Sequence, residues 1–263
     1  DILLSQHISS TNMAKQKAII TLEGTIGDIS FYKTKDGYLA REKTSLNGDR
    51  IATDPVFQRT RENGAEFARA GKACKVLRKA LRSLIVNASD SRSTSRLTQS
   101  FVKVIQADQV NDRGLRNVID GEVELLTNFD FNNNGKIGTT LYADYTASID
   151  RATGELLITF PGFVPMNDIA APAGATHFKL RSAGAAINFE MESHEVDLAE
   201  SGDMLIDNEP VLELTLETNV TPNVTSPIFL ALSIEFYQQV NGKLYTLKNG
   251  AFNALSLVKI SGQ

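Results

Sequence analysis

Tryptophan is absent from this 263-residue chain, cysteine occurs once and histidine three times. With Cys74 as the sole thiol, no intrachain disulfide can form and redox chemistry lacks a second partner. His7, His177 and His194 nowhere approach the i, i+4 spacing of a helical metal pair, and none lies near Cys74 in sequence. Without tryptophan, a sugar-stacking surface would rest on Tyr142, Tyr145, Tyr237 or Tyr245, residues whose setting suits cross-strand packing pairs. The longest apolar stretch, residues 228–234, falls well short of the ~18–20 residues of a membrane-spanning helix, so no membrane insertion is expected. The chain also lacks GxGxxG and GxxxxGK[ST], and Gly24-Thr-Ile-Gly27-Asp28 has no phosphate-binding lysine. No cofactor and no enzymatic constellation is expected.

What remains is the composition of an ordinary globular chain, 42% hydrophobic and 22% charged, which sets aside disordered and collagen-like readings. The formal net charge of −4 conceals a division. Residues 1–104 carry 18 Lys and Arg against 10 Asp and Glu, a net of +8, whereas residues 105–263 carry 9 against 21, a net of −12. Such asymmetry suits nucleic-acid contact by the basic part, mutual attraction between copies, or two differently composed solvated surfaces. Met13-Ala-Lys-Gln-Lys17 reads as a translational start, so residues 1–12 are expected to be an upstream or non-native leader.

Three short strands are expected at residues 18–22, 28–32 and 38–41, with Asp36-Gly37 supplying a tight hairpin turn. At Asp54-Pro55 the pattern becomes helical: Asp54 is placed to cap and Pro55 to start. Phe67, Ala70, Cys74, Leu77, Leu81 and Leu84 recur at intervals of three and four, predicting one core face on a helix reaching about Val86. Arg61, Lys72, Lys75, Lys79 and Arg82 fall on the opposite side and are the candidate interaction surface. Gly64 and Gly71 suggest a close backbone neighbour or a bend. Further helices are expected around Leu97–Val104 and Leu115–Leu126.

From about residue 137 the period changes to two. Eight strands are expected, at residues 141–149, 155–160, 176–181, 186–192, 211–218, 229–237, 243–247 and 252–260. Asn241-Gly242 and Asn249-Gly250 mark antiparallel turns, and no helices intervene to make parallel units. Between the two regions, Asp130-Phe-Asn132-Asn-Asn134-Gly135 has oxygen side chains at the first, third and fifth positions of a calcium loop, but Leu141 stands where the bidentate carboxylate belongs. An Asn/Gly-rich turn is therefore expected there rather than a metal site. Glu192, His194 and Glu195 form a short polar cluster, which alternation along a strand would split between two faces.

Residues 24–32 (GTIGDISFY), 36–41 (DGYLAR), 54–63 (DPVFQRTREN) and 171–178 (APAGATHF) resemble an uncharacterised protein family of Bacteroidota, chiefly flavobacteria. The closing segments 235–239 and 249–256 are similar to it as well, so the resemblance spans about Met13 to Gly262. It supports Met13 as the start and implies no activity or binding residues.

The sequence thus predicts an α+β chain: a leader at 1–12, a β-hairpin and helical region with a basic face at 13–135, and an antiparallel β-sandwich of about eight strands at 136–263. The expected function is a non-enzymatic structural subunit of a homo-oligomeric assembly, such as a particle shell, tube or surface filament, including phage-derived particles. The alternative is a binding module that contacts nucleic acid through the basic helix, or a glycan or protein through the sandwich loops. A hydrolase site assembled from scattered Asp and Glu is a third class. Localisation is left open.

Overall fold

The computed structural model describes residues 13–16, 21–42 and 48–262. The chain is α+β, and its contacts divide it into two units, residues 1–58 and 59–263. The expected leader, His7, and most of the first expected strand, residues 18–20, lie outside the described residues.

The first unit holds a four-stranded antiparallel sheet in the order β1 (Met13–Lys15), β4 (Gly37–Glu42), β3 (Ile29–Thr34), β2 (Gly24–Ile26). The β3–β4 hairpin pairs Thr34 with Gly37, so its two turn residues are Lys35 and Asp36, one position earlier than expected. Gly37 takes φ +116° as the first residue of β4. The Thr34 hydroxyl secures the turn, accepting from Asp36 N and donating to Gly37 O. A short helix that the sequence pattern did not suggest, α1 (Gly48–Thr53), follows. Asp54 then caps a single 3-10 turn, Pro55–Phe57, by accepting from Val56 N at 3.0 Å.

In the second unit, α2 (Gln58–Ala80) and the one-turn α3 (Arg82–Ile85) run nearly continuously, because Leu81, Ile85 and Val86 all keep their i−4 hydrogen bonds. Ala70, Cys74, Leu77, Leu81 and Leu84 are buried as the spacing predicts, but Phe67 is 61% exposed. Gly64 and Gly71 face open space, so neither marks a close backbone neighbour. After α4 (Ser93–Gln106) the expected helix at 115–126 is replaced by irregular chain with one 3-10 turn at Val123–Leu126. Short polar side chains divert the backbone there. Asp108 accepts from the N–H groups of Val110, Asn111 and Asn117, and Asn117 from those of Ile119 and Asp120, which competes with helical pairing. Gly121 lies so close to the Val104 carbonyl that no side chain fits.

After a single turn, α5 (Ile137–Thr140), nine strands follow. A three-stranded antiparallel sheet contains β5 (Thr146–Asp150), β6 (Glu155–Phe160) and β10 (Leu214–Asn219). A six-stranded sheet contains β7 (His177–Asn188), β8 (Ser193–Glu200), β9 (Met204–Leu205), β11 (Ile228–Val240), β12 (Lys243–Thr246) and β13 (Ala254–Ser261). The one-turn α6 (Pro165–Asp168) lies between β6 and β7. Two of the expected strands, 176–181 and 186–192, are one strand, β7. The intervening Ser182-Ala-Gly184-Ala185 resembles a turn in sequence, yet small residues are required because Gly184 meets the Thr218 side chain of β10. Asn241 and Gly242, both at positive φ, form the expected β11–β12 turn.

Alternation distributes the long strands between two cores. Ala183, Ala185, Ile187, Phe229, Ala231, Leu255 and Leu257 pack against the helices. Phe178, Leu180, Leu230, Leu232, Ile234 and Phe236 pack against Leu156, Ile158, Phe160 and Leu216 of the three-stranded sheet. The second unit is therefore three layers deep, and the helices that the sequence pattern groups with the hairpins share a core with the strands. Side chains close the sandwich edges: Asp197 and Glu195 on β8 accept from Asn219 N and Thr221 N, while Arg151 donates to the carbonyls of Val224, Ser226 and Ser261.

Leu81→Ala should cost about 2–5 kcal/mol through the cavity it leaves, whereas Lys79→Ala should leave the denaturation midpoint nearly unchanged. Gly71→Ala should stabilise α2 by about 0.5–1 kcal/mol, since the added methyl meets open space. Chemical denaturation of the three variants checks both statements.

The loop after α4 makes the unit acid-sensitive. Burial works against ionised Asp108, but hydrogen bonds from the Asn111 backbone and side chain, Asn117 N and Val110 N outweigh it and hold the pKa at about 2. Because the folded-state value lies below the ordinary one, the stabilisation is complete above pH ~4 and fades as pH falls towards 2. Asp108→Asn should lower stability at pH 6 by about 1–3 kcal/mol and flatten the loss between pH 4 and pH 2 in urea titrations.

Candidate functional site

The core spacing of α2 fixes what its other side presents. Lys72, Lys75 and Lys79 on α2 and Arg82 on α3 are exposed and form one stripe along the outer surface of the helical layer. Arg61, at the start of α2, is half-buried and lies two turns or more from the rest. Arg78, also exposed, widens the stripe. The N-terminal half of α2 is held differently. Glu66, 3% exposed, accepts from Gly114 N, while Arg69 donates to the carbonyls of Gly114 and Arg116. A cleft of about 170 Å³ lies between this segment and the β7–β8 turn, floored by Ala73 and Val118 and edged by Lys72, Phe189 and Glu190.

The outer surface of the opposite layer has the other sign. Pairing places Asp150, Glu155 and Glu217 on the outward face of the three-stranded sheet, with Thr146, Ser148, Thr159, Thr215 and Asn219 beside them. No lysine or arginine occupies an outward strand position of that sheet.

The calcium-like loop uses its side chains internally. Asp130 accepts from Ile137 N, and Asn132, 2% exposed, donates to the carbonyls of Ala251 and Asn253 while accepting from Asn134 N. Gly135 sits against the Phe252 and Asn253 carbonyls, leaving no room for a side chain. Asp90 fastens the loop from outside, accepting from Asn133 N and from Arg96 at 2.7 Å, and Arg96 also donates to Asp130 O. The Asp90 carboxyl lies below its ordinary range: burial opposes ionisation, but the Asn133, Arg96 and Arg92 hydrogen bonds outweigh it. For Asp130, burial prevails and raises the value. The arrangement ties the loop to the turn before β13. Among the described residues, no group of three or more His, Cys, Asp or Glu is placed to hold a metal.

The remaining sequence candidates are dispersed. His194 and Glu195 point to opposite faces of β8, the latter carboxylate engaging Thr221. His177 Nδ1 is 2.9 Å from the Thr176 hydroxyl. Cys74 is buried, its thiol 3.7 Å from Thr94 O, and burial raises its pKa. Tyr142 and Tyr245 are exposed, whereas Tyr145 packs on Phe160.

One constellation escaped the sequence reading. Glu235, 1% exposed at the end of the apolar run in β11, accepts from Arg181 at 3.1 Å, the Asn87 side chain at 3.1 Å and the Tyr237 hydroxyl at 2.7 Å. Burial, then the hydrogen bond to Glu235, pushes the Tyr237 hydroxyl well above its ordinary pKa. Arg181 and Lys179 continue the network to Glu200 and Asp203. Both Glu235 oxygens are occupied, so the cluster joins Asn87, beyond α3, to two central strands. A glutamate directly following the apolar run of β11 is the available sequence signal.

No protein-family model matches the chain, and no curated protein matches it. A solved structure described as "pH-induced modulation of Streptococcus parasanguinis adhesion by Fap1 fimbriae" is similar over 44% of this chain and 78% of that one, at 14% identity and a TM-score of 0.22. That likeness is too low to carry an argument about fold or function.

Proposed function

We propose that the chain is a non-enzymatic structural subunit of a homo-oligomeric assembly, such as a shell, tube or filament. The observation that carries this reading is the opposite charge of the two outer layers of the second unit. Lys72, Lys75, Lys79 and Arg82 line the helical side, and Asp150, Glu155 and Glu217 lie outward on the three-stranded sheet. A subunit with unlike charges on opposite sides is suited to heterologous contact, in which one copy's basic face meets the next copy's acidic face. Such contacts close into rings or continue as filaments according to the rotation between copies. The same stripe supports the alternative, contact with nucleic-acid phosphates, and one set of variants separates the two.

Light scattering after size-exclusion chromatography should show a defined oligomer that loosens as salt rises, because the Debye length falls from ~10 Å at 0.1 M to ~3 Å at 1 M. Changing Lys72, Lys75, Lys79 and Arg82 together to glutamate should dissociate it without altering the circular dichroism spectrum. Adding Glu155→Lys and Glu217→Lys should restore association. A monomer at every salt concentration overturns the reading. A monomer that binds a DNA or RNA column through the stripe transfers it to the binding module.

A further inference from the structure

The four-stranded sheet of the first unit has an unusual property. None of its described residues is buried, although apolar side chains gather on one of its faces. Cross-strand pairing assigns the faces. Ile26, Ile29, Phe31, Tyr38 and Ala40 share one side with Ala14, while Thr25, Ser30, Tyr32, Thr34, Leu39 and Arg41 occupy the other, which is the more polar of the two. On the apolar side Ile26 is 63% and Ile29 46% exposed. A small sheet gains independent stability by packing such a face against another layer.

Charge on the same face says what that layer is. Glu42 pairs with Ile29 at one end of the strands, beside Asp28 in the adjoining turn, and Lys33 pairs with Tyr38 at the other end, its ammonium 5.5 Å from the ring centroid. Four residue steps along β3 separate the Ile29 and Lys33 rows, about 13 Å. The face is thus acidic at one end, apolar in the middle and basic at the other. Two copies related by a two-fold axis lying in the interface, perpendicular to the strands, bring each acidic end over the partner's basic end. A two-fold axis along the strands would instead superpose like charges.

We infer that this sheet packs face to face with the same sheet of a second copy, forming an isologous sandwich through Ile26, Ile29, Phe31 and Ala40, with Lys33 opposite Glu42 of the partner subunit. The inference rests on the reading of the chain as an assembly subunit and assigns it a second contact, distinct from the charged layers of residues 59–263. An isologous contact of this kind pairs subunits, whereas a heterologous one propagates them.

Lys33→Glu and Glu42→Lys each create two like-charge contacts across the two-fold axis and should weaken pairing about tenfold or more. The double variant should restore it. Mixing the two single variants should restore assembly with the two variants incorporated one to one, since every contact across the sheet pair is then between opposite charges. The full chain is used throughout, with light scattering as the readout and circular dichroism as the control for folding. Phe31→Asp should dissociate the pair irrespective of the charge variants. If the wild-type chain is monomeric, both this inference and the assembly reading fail. If it assembles but neither single reversal weakens it, or if reversal weakens it without rescue in the double variant and the mixture, the inference fails while assembly stands. In those cases the face is covered by a different partner.

Discussion

Burial of β7 and β11 on both faces is the constraint on which the second unit depends. Antiparallel sheets commonly leave one face to water and read as strict alternation. Here the odd-numbered positions of these strands meet α2–α4 and the even-numbered ones meet the three-stranded sheet. Two apolar layers therefore share one pair of strands. Small side chains accompany this arrangement: Ala183 and Ala185 are buried on the helical side, and Gly184 meets Thr218 and Leu156 on the other with no room for a side chain. Where the helical cover ends, the same sheet face turns polar, and Glu235, Arg181 and Asn87 satisfy one another instead of water.

The loops between the layers are held by side-chain hydrogen bonds. Asp108 organises the chain leaving α4, Asn132 fastens the loop before α5 to the approach to β13, Asp90 fastens the same loop to the connection between α3 and α4, and Arg151 ties the β5–β6 turn to the last strand. Each carboxylate or amide replaces several backbone partners that irregular chain would otherwise leave unpaired. Loss of one such group affects a whole loop.

Charge is arranged by layer. The amphipathic helix must present its polar side outward once Leu77 and Leu81 enter the core, and that side is basic. The three-stranded sheet must do the same once Ile158 and Leu216 enter theirs, and its outward residues are acidic or neutral. Opposite polarity thus follows from two independent amphipathic patterns meeting across one central sheet. The N-terminal sheet repeats the theme along its strands, with acidic and basic ends flanking apolar residues.

Period and composition by themselves determined the α+β class, the core stripe of α2, the exposure of Lys72, Lys75, Lys79 and Arg82, and the extent of β6, because each depends on local spacing alone. Tertiary structure decided the rest. The small-residue segment of β7 reads as a turn until the neighbouring layers that require small side chains are present. β8, with polar residues on an edge, shows too little apolar alternation to register as a strand. The expected helix at 115–126 fails because Asp108 and Asn117 capture backbone donors in irregular chain, a competition that helical periodicity does not report. Phe67 lies at a core position of the heptad-like pattern yet is exposed, because no layer among the described residues covers that part of the helix. The Glu235 network joins residues 87, 181, 235 and 237 through hydrogen bonds that no local pattern encodes, because partners so distant in sequence meet only after the layers have packed.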